Sequence, residues 1–264
     1  MKRIKVGLAL SGGGARGFSH VGVLNVLERY GINIDVIAGT SAGAIVGAAF
    51  AAGMAAADIT SMSARAGYRN LMRPSLSPLG ILSNAPMGRF LSRELPVTRF
   101  EDLKIPFGAI VYDSELGTER LLHGSGDLIF AVRASCAVPG IFAPLKGTDK
   151  HLYVDGGVSS PLPIDAAKAL GADVVIAVDL ISVGGTYKRR PKTAAGMAFR
   201  SALGLIEAAT RNQAAMADVT IVPRIAHLRP DQIRKREEFI SLGEAAAEEK
   251  IGDILAFIGR DEKA

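Results

Sequence analysis

Tryptophan is absent from this 264-residue chain, aromatic residues make up only 6% of it, and there are one cysteine and four histidines. The lone Cys136 excludes an intramolecular disulfide and fits a reducing, cytoplasmic setting. Within the apolar stretch 134–138 it reads as a buried small hydrophobe. Residues 36–57 carry no charge and are about as long as a bilayer is thick. Four glycines and a Gly-Thr-Ser-Ala-Gly turn break that stretch, so it reads as strand, turn and helix. Lys2, Arg3 and Lys5 precede a short apolar run, but a glycine-rich loop and Arg16 interrupt it before a signal-peptide core forms. No His, Cys or Glu cluster has metal-ligand spacing, and neither a metal nor a cofactor is expected. The charge is also poor in extremes: 31 basic residues against 26 acidic give +5. That excess does not call for a nucleic-acid partner, and it suits an anionic surface such as phosphate headgroups.

What is present is a globular balance of 48% hydrophobic and 22% charged residues with 30 glycines. No linker divides the chain, so residues 1–264 read as a single domain, with a core at about 4–222 and a helical tail at about 223–264. Residues 4–10 form an apolar, branched run ending in a glycine loop. Residues 18–30 place Val21, Leu24 and Leu27 at helical spacing, with Gly31 as C-cap. Residues 34–38 predict the next strand and 42–54 a helix apolar all round, as in a central layer. This β-loop-α-β-turn-α opening predicts an α/β fold with a parallel sheet covered by helices. Further strands are predicted at 107–113, 119–123, 152–154, 173–178 and 219–222, and helices at 128–138 and 164–170. Residues 71–86, mixing proline, serine and glycine, predict a flexible loop or lid. Residues 184–192 make a basic loop, and alanine-rich helices fill most of the remainder.

Three stretches carry chemistry. Gly39-Thr40-Ser41-Ala42-Gly43 sits between a strand and an apolar helix, where a sharp turn exposes a serine hydroxyl and needs small neighbours. The helix N-terminus offers backbone N–H groups to a developing oxyanion. The plainer reading of Ser41 is a helix cap. Ser11-Gly12-Gly13-Gly14-Ala15-Arg16-Gly17 satisfies Gly-x-Gly-x-x-Gly, but a dinucleotide site needs an acidic residue at the end of the second strand. Asp35 stands at that strand's start, so the fingerprint fails. Consecutive glycines instead expose amides able to converge on an oxyanion or phosphate. Asp155-Gly156-Gly157 ends a strand and offers a carboxylate to a serine that needs a base. His151 and Asp155, on one extended strand, would be roughly 13 Å apart and form no relay. His20, His123, His151 and His227 read as surface or helix-end residues. Asp113 and Asp179 are the rival carboxylates, each also able to cap a turn.

Together Ser-Gly-Gly-Gly-Ala-Arg-Gly, Gly-Thr-Ser-Ala-Gly and Asp-Gly-Gly, in this order, closely resemble the signature of the bacterial patatin-like phospholipases. Residues 133–140, Arg-Ala-Ser-Cys-Ala-Val-Pro-Gly, resemble a further block of that family. The resemblance implies a three-layer α/β/α fold and a Ser–Asp dyad without histidine. By motif position it makes Ser41 the nucleophile and Asp155 the proton acceptor. Gly12, Gly13 and Gly14 would form the oxyanion hole, and Arg16 in the same loop is a substrate- or anion-binding candidate. It implies a lipid ester as substrate, for a phospholipase, lysophospholipase or lipid esterase. Separately, the basic residues 188–192 and the segment 71–86 predict a positive, partly apolar rim for peripheral contact with an anionic membrane, a solvated basic loop being the plainer reading. A lipid- or acyl-binding regulator with little turnover is the alternative from another class.

Overall fold

The computed structural model describes residues 3–183 and 190–259. The chain runs β1 (Val6–Leu10), α1 (Phe18–Arg29), β2 (Val36–Thr40), α2 (Ala42–Ala51), α3 (Ala56–Arg65), α4 (Tyr68–Leu71), β3 (Arg73–Pro74), β4 (Gly80–Ser83) and α5 (Ala85–Glu94). It continues through β5 (Phe107–Asp113), β6 (Thr118–His123), α6 (Leu128–Ser135), β7 (Gly140–Phe142), β8 (Leu145–Lys146), β9 (Leu152–Asp155) and α7 (Ile164–Ala169). The last described elements are β10 (Val174–Val178), α8 (Ala194–Ala214), β11 (Val219–Ile221) and α9 (Arg236–Ile258).

The main sheet has the order β11-β10-β1-β2-β5-β9-β8, with β6 also pairing with β5. It is parallel from β11 to β5, while β6, β9 and β8 join antiparallel. Alternating strand residues face opposite helical layers. Leu8, Leu10, Ile37, Ile176 and Val178 share a core with Leu24 of α1, Val46 of α2 and Phe239 of α9. Ala9, Ala38, Val175 and Ala177 pack instead with Ile164 and Ala167 of α7. The expected three-layer α/β/α architecture is therefore present. Its inner strands are buried throughout and lack a polar face, as parallel strands covered on both sides require.

Three expectations change. The C-terminal helix is not a tail: α9 lies backbone to backbone on α1. A Cβ on Gly22 would fall 2.0 Å from the carbonyl oxygen of Ile240, and one on Gly243 2.1 Å from that of Ser19. Asn25 bonds Glu244 at 2.7 Å, and Arg29 pairs with Glu248. The 71–86 segment is not a plain loop, because β3 and β4 join β7 in a second small sheet. Its backbone groups find partners there that local sequence pattern does not reveal. The strand predicted at 34–38 begins two residues later, since the Asp35 carboxylate accepts the Val6 N–H and pairs with Arg3. Residues 184–189, including Lys188 and Arg189 of the expected basic rim, lie outside the described residues. Among the described residues no helix is long and apolar enough to cross a membrane.

Candidate active site

Sheet register brings Ser41 and Asp155 to one level. Thr40, the last residue of β2, pairs with Ile110 of β5, and the next residue, Val111, pairs with Asp155. Because β9 runs against β5, its final residue reaches the edge where β2 also ends. Ser41 lies just beyond that edge, where α/β sheets place their ligands.

Ser41 has φ 54° and ψ −119°, a conformation few non-glycine residues adopt. Its surroundings impose this turn. A Cβ on Gly43 would lie 2.2 Å from the Leu10 carbonyl oxygen, and one on Gly39 would lie 2.6 Å from that of Gly43. The Ser41 N–H donates to the Ser135 hydroxyl at 2.9 Å, while Ala44 N–H returns to the Ser41 carbonyl at 2.9 Å. The side chain makes no capping bond to α2. The helix-cap reading therefore fails, and the hydroxyl is not spent on the helix.

Asp155 is 5% exposed. Its Oδ1 accepts the Gly157 N–H at 2.8 Å, and its own N–H is tied to the Ala137 carbonyl at 3.0 Å. Burial pushes the carboxyl up to about 6, against the opposing pull of the nearby Ser41 hydroxyl and the Gly157 amide. Oδ2 is buried and makes no hydrogen bond of standard geometry. The Ser41 hydroxyl is near enough to the carboxyl to oppose that rise. Cys136 is buried as expected, but it also lies beside both residues. Burial and the Asp155 charge raise its thiol well above the usual cysteine range, outweighing the pull of Ser41.

The glycine loop passes over the same spot. A Cβ on Gly12 would sit 3.4 Å from Ser41 Cβ. The Gly12 N–H, however, already donates to the Pro161 carbonyl at 3.0 Å, so the first of the three expected oxyanion amides is committed elsewhere. The N–H groups of Gly13 and Gly14 have no partner among the described residues. Positive φ at both, 155° and 59°, turns the backbone here. The loop is pinned from below: Ser11 Oγ accepts the Leu180 N–H at 2.9 Å, and the His20 ring reaches the Ser11 carbonyl at 2.8 Å.

Two sequence expectations are corrected. Arg16 is not an available anion ligand: it is 2% exposed and donates to the carbonyls of Leu228 and Leu180 at 3.0–3.2 Å. Its guanidinium ties the loop to the C-terminal segment. His20 is no surface residue, since α1 buries it fully and burial lowers its pKa to about 4. Among the described residues no histidine bonds Ser41 or Asp155. His151 Nδ1 meets Asp113 at 2.8 Å, and His227 meets Glu238 at 3.1 Å. Asp113 and Asp179 accept the N–H groups of the turns that follow them. The fold does assemble one group that sequence spacing hides: ligand atoms of Asp113, Asp149 and His151 lie within 4.8 Å of one another. Turn amides and the Tyr153 hydroxyl occupy those carboxylates. Sequence reasoning missed the part played by Ser135, whose contact with Ser41 no local pattern announces.

A family model described as patatin-like phospholipase matches residues 8–168, more than half of the chain. An uncharacterized NTE family protein of Mycobacterium bovis is 38% identical over 179 residues, 67% of this chain and 49% of that protein. Patatin-like phospholipase domain-containing protein 6 of Homo sapiens is 35% identical over 184 residues, 66% of this chain and 13% of that protein. The chain thus spans about half the length of the mycobacterial relative and a small part of the human one. Among solved structures, VipD from Legionella pneumophila superposes with a TM-score of 0.56 at 14% identity, covering 94% of this chain and 66% of that one. At that identity the likeness concerns the fold. The family match covers the glycine loop, the Ser41 turn and the Asp155 segment alike, and the chain belongs to the patatin-like phospholipase family.

Proposed function

We propose that this chain is a serine acyl hydrolase acting on lipid esters, as one domain, with Ser41 as nucleophile and Asp155 as general base. One observation carries the reading: a strained serine that makes no side-chain cap stands beside a buried carboxylate whose pKa is about 6, under a loop with two amides that have no partner among the described residues. An ordinary aspartate near 4 is a weak base for a hydroxyl; raised to about 6 it stays ionised at neutral pH and binds a proton better.

In this mechanism Asp155 accepts the Ser41 proton as Oγ bonds to the acyl carbonyl carbon. The carbonyl π electrons move to oxygen, and the Gly13 and Gly14 amides stabilise that oxyanion. Collapse expels the alcohol, which takes the proton back from Asp155. Water then gives a proton to Asp155 as it attacks the acyl carbon, and collapse breaks the bond to Ser41 Oγ, which takes that proton back from Asp155 as the fatty acid leaves. Lipid as the substrate class is supported by family membership and by Leu76, Leu79 and Ile81, which stand exposed on the small second sheet and its loop. Such a run of exposed apolar side chains suits contact with an aggregated lipid surface.

A fluorophosphonate probe tests the assignment. It is expected to label the protein once, with labelling and short-chain ester hydrolysis both lost in a folded Ser41→Ala variant. Lipid binding without ester turnover in the unmodified protein would favour a regulatory binding role instead.

A further inference from the structure

An open depression between helices α5 and α6 is lined by Ala85, Gly88, Arg89, Ser92 and Arg93 on one side and by Ile129 and Arg133 on the other. The α5 residues recur at three and four positions, so they form one helical face. Met87, Phe90 and Leu91 give α5 its buried apolar face, and Arg89, Ser92 and Arg93 stand exposed beside it.

The central cation is Arg133, half-buried in α6. Its place is built. Gly88 lets the side chain lie across α5, since a Cβ there would come within 2.6 Å of Arg133 Cδ. Asn84 fixes both ends of the residue, donating to the Arg133 carbonyl at 2.7 Å and accepting from Nε at 3.3 Å. No ion pair reaches Arg133 or Arg89 among the described residues. Burial, with the neighbouring Arg89 charge, holds the Arg133 guanidinium below its usual range despite a favourable pull from Asp127. That carboxylate is engaged at the start of α6, where it accepts the Phe130 N–H at 2.8 Å. Arg93 is shared, with Glu94 at 3.6 Å and the Phe90 ring beneath it, while Glu94 itself is held by Arg65 at 2.6 Å. A half-buried cation without an ion pair is less favourable than a paired one, and an anion in the depression supplies the partner.

We infer that the α5–α6 depression binds a phosphate group through Arg133, Arg89 and Arg93. A guanidinium fork matches a phosphate oxygen pair. Neither Ser41 nor Asp155 lines this depression, and binding there does not depend on the ester chemistry. Both a phospholipid headgroup and a soluble phosphate present the same oxygens.

Titration calorimetry with inorganic phosphate and with glycerol phosphate, at low salt, forms the soluble arm. Co-sedimentation with phosphatidylcholine vesicles, with and without phosphatidic acid, forms the lipid arm. Each is run on the intact chain and on Ser41→Ala, so that loss of turnover and loss of binding are read separately. Binding in either arm should weaken by about tenfold or more in Arg133→Gln, the usual worth of a charged hydrogen bond. Arg89→Gln, at an exposed position, gives the same reading if Arg133→Gln does not fold. Arginine-dependent binding of soluble phosphate supports the site with a free phosphate as occupant. Arginine-dependent binding confined to phosphatidic acid vesicles supports it with a headgroup as occupant. No binding in either arm, or binding unchanged in both variants, overturns it.

Discussion

The backbone N–H of Ser41 donates to the hydroxyl of Ser135, 2.9 Å away and 94 residues along the chain. Ser135 is fully buried at the end of α6 and steadies a turn whose φ of 54° ordinary serines avoid. Ser135→Ala leaves the Ser41 amide without its partner. The expected cost is about 1–3 kcal/mol of stability, with a larger fall in kcat than rise in KM for a soluble ester. Thermal melts and steady-state kinetics check both parts, and an unchanged kcat would remove Ser135 from any part in holding the turn.

That contact marks how far the sequence was legible. The strands of the parallel sheet were readable because both faces are covered, which writes them as short apolar runs between glycine turns. Ser41 and Asp155 were singled out from local pattern, as glycines on either side signal a crowded turn. What was not legible is long-range. The pairing of β3 and β4 with β7, the seat of α9 on Gly22, and the spending of Arg16 on two carbonyls all join residues far apart in sequence. An arginine in a glycine loop looks the same whether it faces a ligand or the core.

The acid limb of the activity profile should report Asp155. Its carboxyl sits at about 6 in the folded protein and must be ionised to accept a proton, so kcat/KM on a neutral ester is expected to fall as pH drops below about 6. A limb centred near 4 would show that the working base is less buried than Asp155.

Stability follows from the same shift. The folded pKa lies above the unfolded value of 3.8, so the contribution is present below about 4 and lost as pH rises through about 6. Above that window the buried charge costs about 3 kcal/mol. Asp155→Asn removes the charge and should melt higher than the unmodified protein at pH 7.5, with little difference at pH 4. Equal melting temperatures at the higher pH would contradict this.

Two glycine substitutions separate crowding of the fold from crowding of the site. Gly43→Ala drives a methyl to within 2.2 Å of the Leu10 carbonyl oxygen, contact the backbone relieves only by moving. It is expected to lose several kcal/mol or fail to fold. Gly12→Ala meets Ser41 Cβ at 3.4 Å, an ordinary contact, and should fold normally. Its methyl nevertheless stands over the nucleophile, so fluorophosphonate labelling should slow by about tenfold or more. Comparable melting with slow labelling for Gly12→Ala, against a destabilised Gly43→Ala, is the pattern to seek.

His20 gives the last prediction. The Ser11 carbonyl only accepts, so His20 Nε2 carries the proton, and Nδ1 is bare, buried and without a partner among the described residues. A neutral imidazole therefore braces the start of the glycine loop. Its folded pKa of about 4 lies below the unfolded 6.5, so stability is lost as pH falls from about 6.5 toward about 4, by about 3 kcal/mol. Asp155 works in the opposite direction between about 4 and 6 and masks part of the loss. In Asp155→Asn the mask is gone, and unfolding free energy from denaturant titration should fall more steeply on acidification than in the unmodified protein. Adding His20→Gln supplies a donor that does not titrate and should flatten that fall. His20→Phe, in contrast, leaves the Ser11 carbonyl unpaired in the interior. It should lower kcat for a soluble ester at pH 7.5, while His20→Gln keeps most of it. If Phe and Gln act alike on kcat, the imidazole is only filling space beneath the loop.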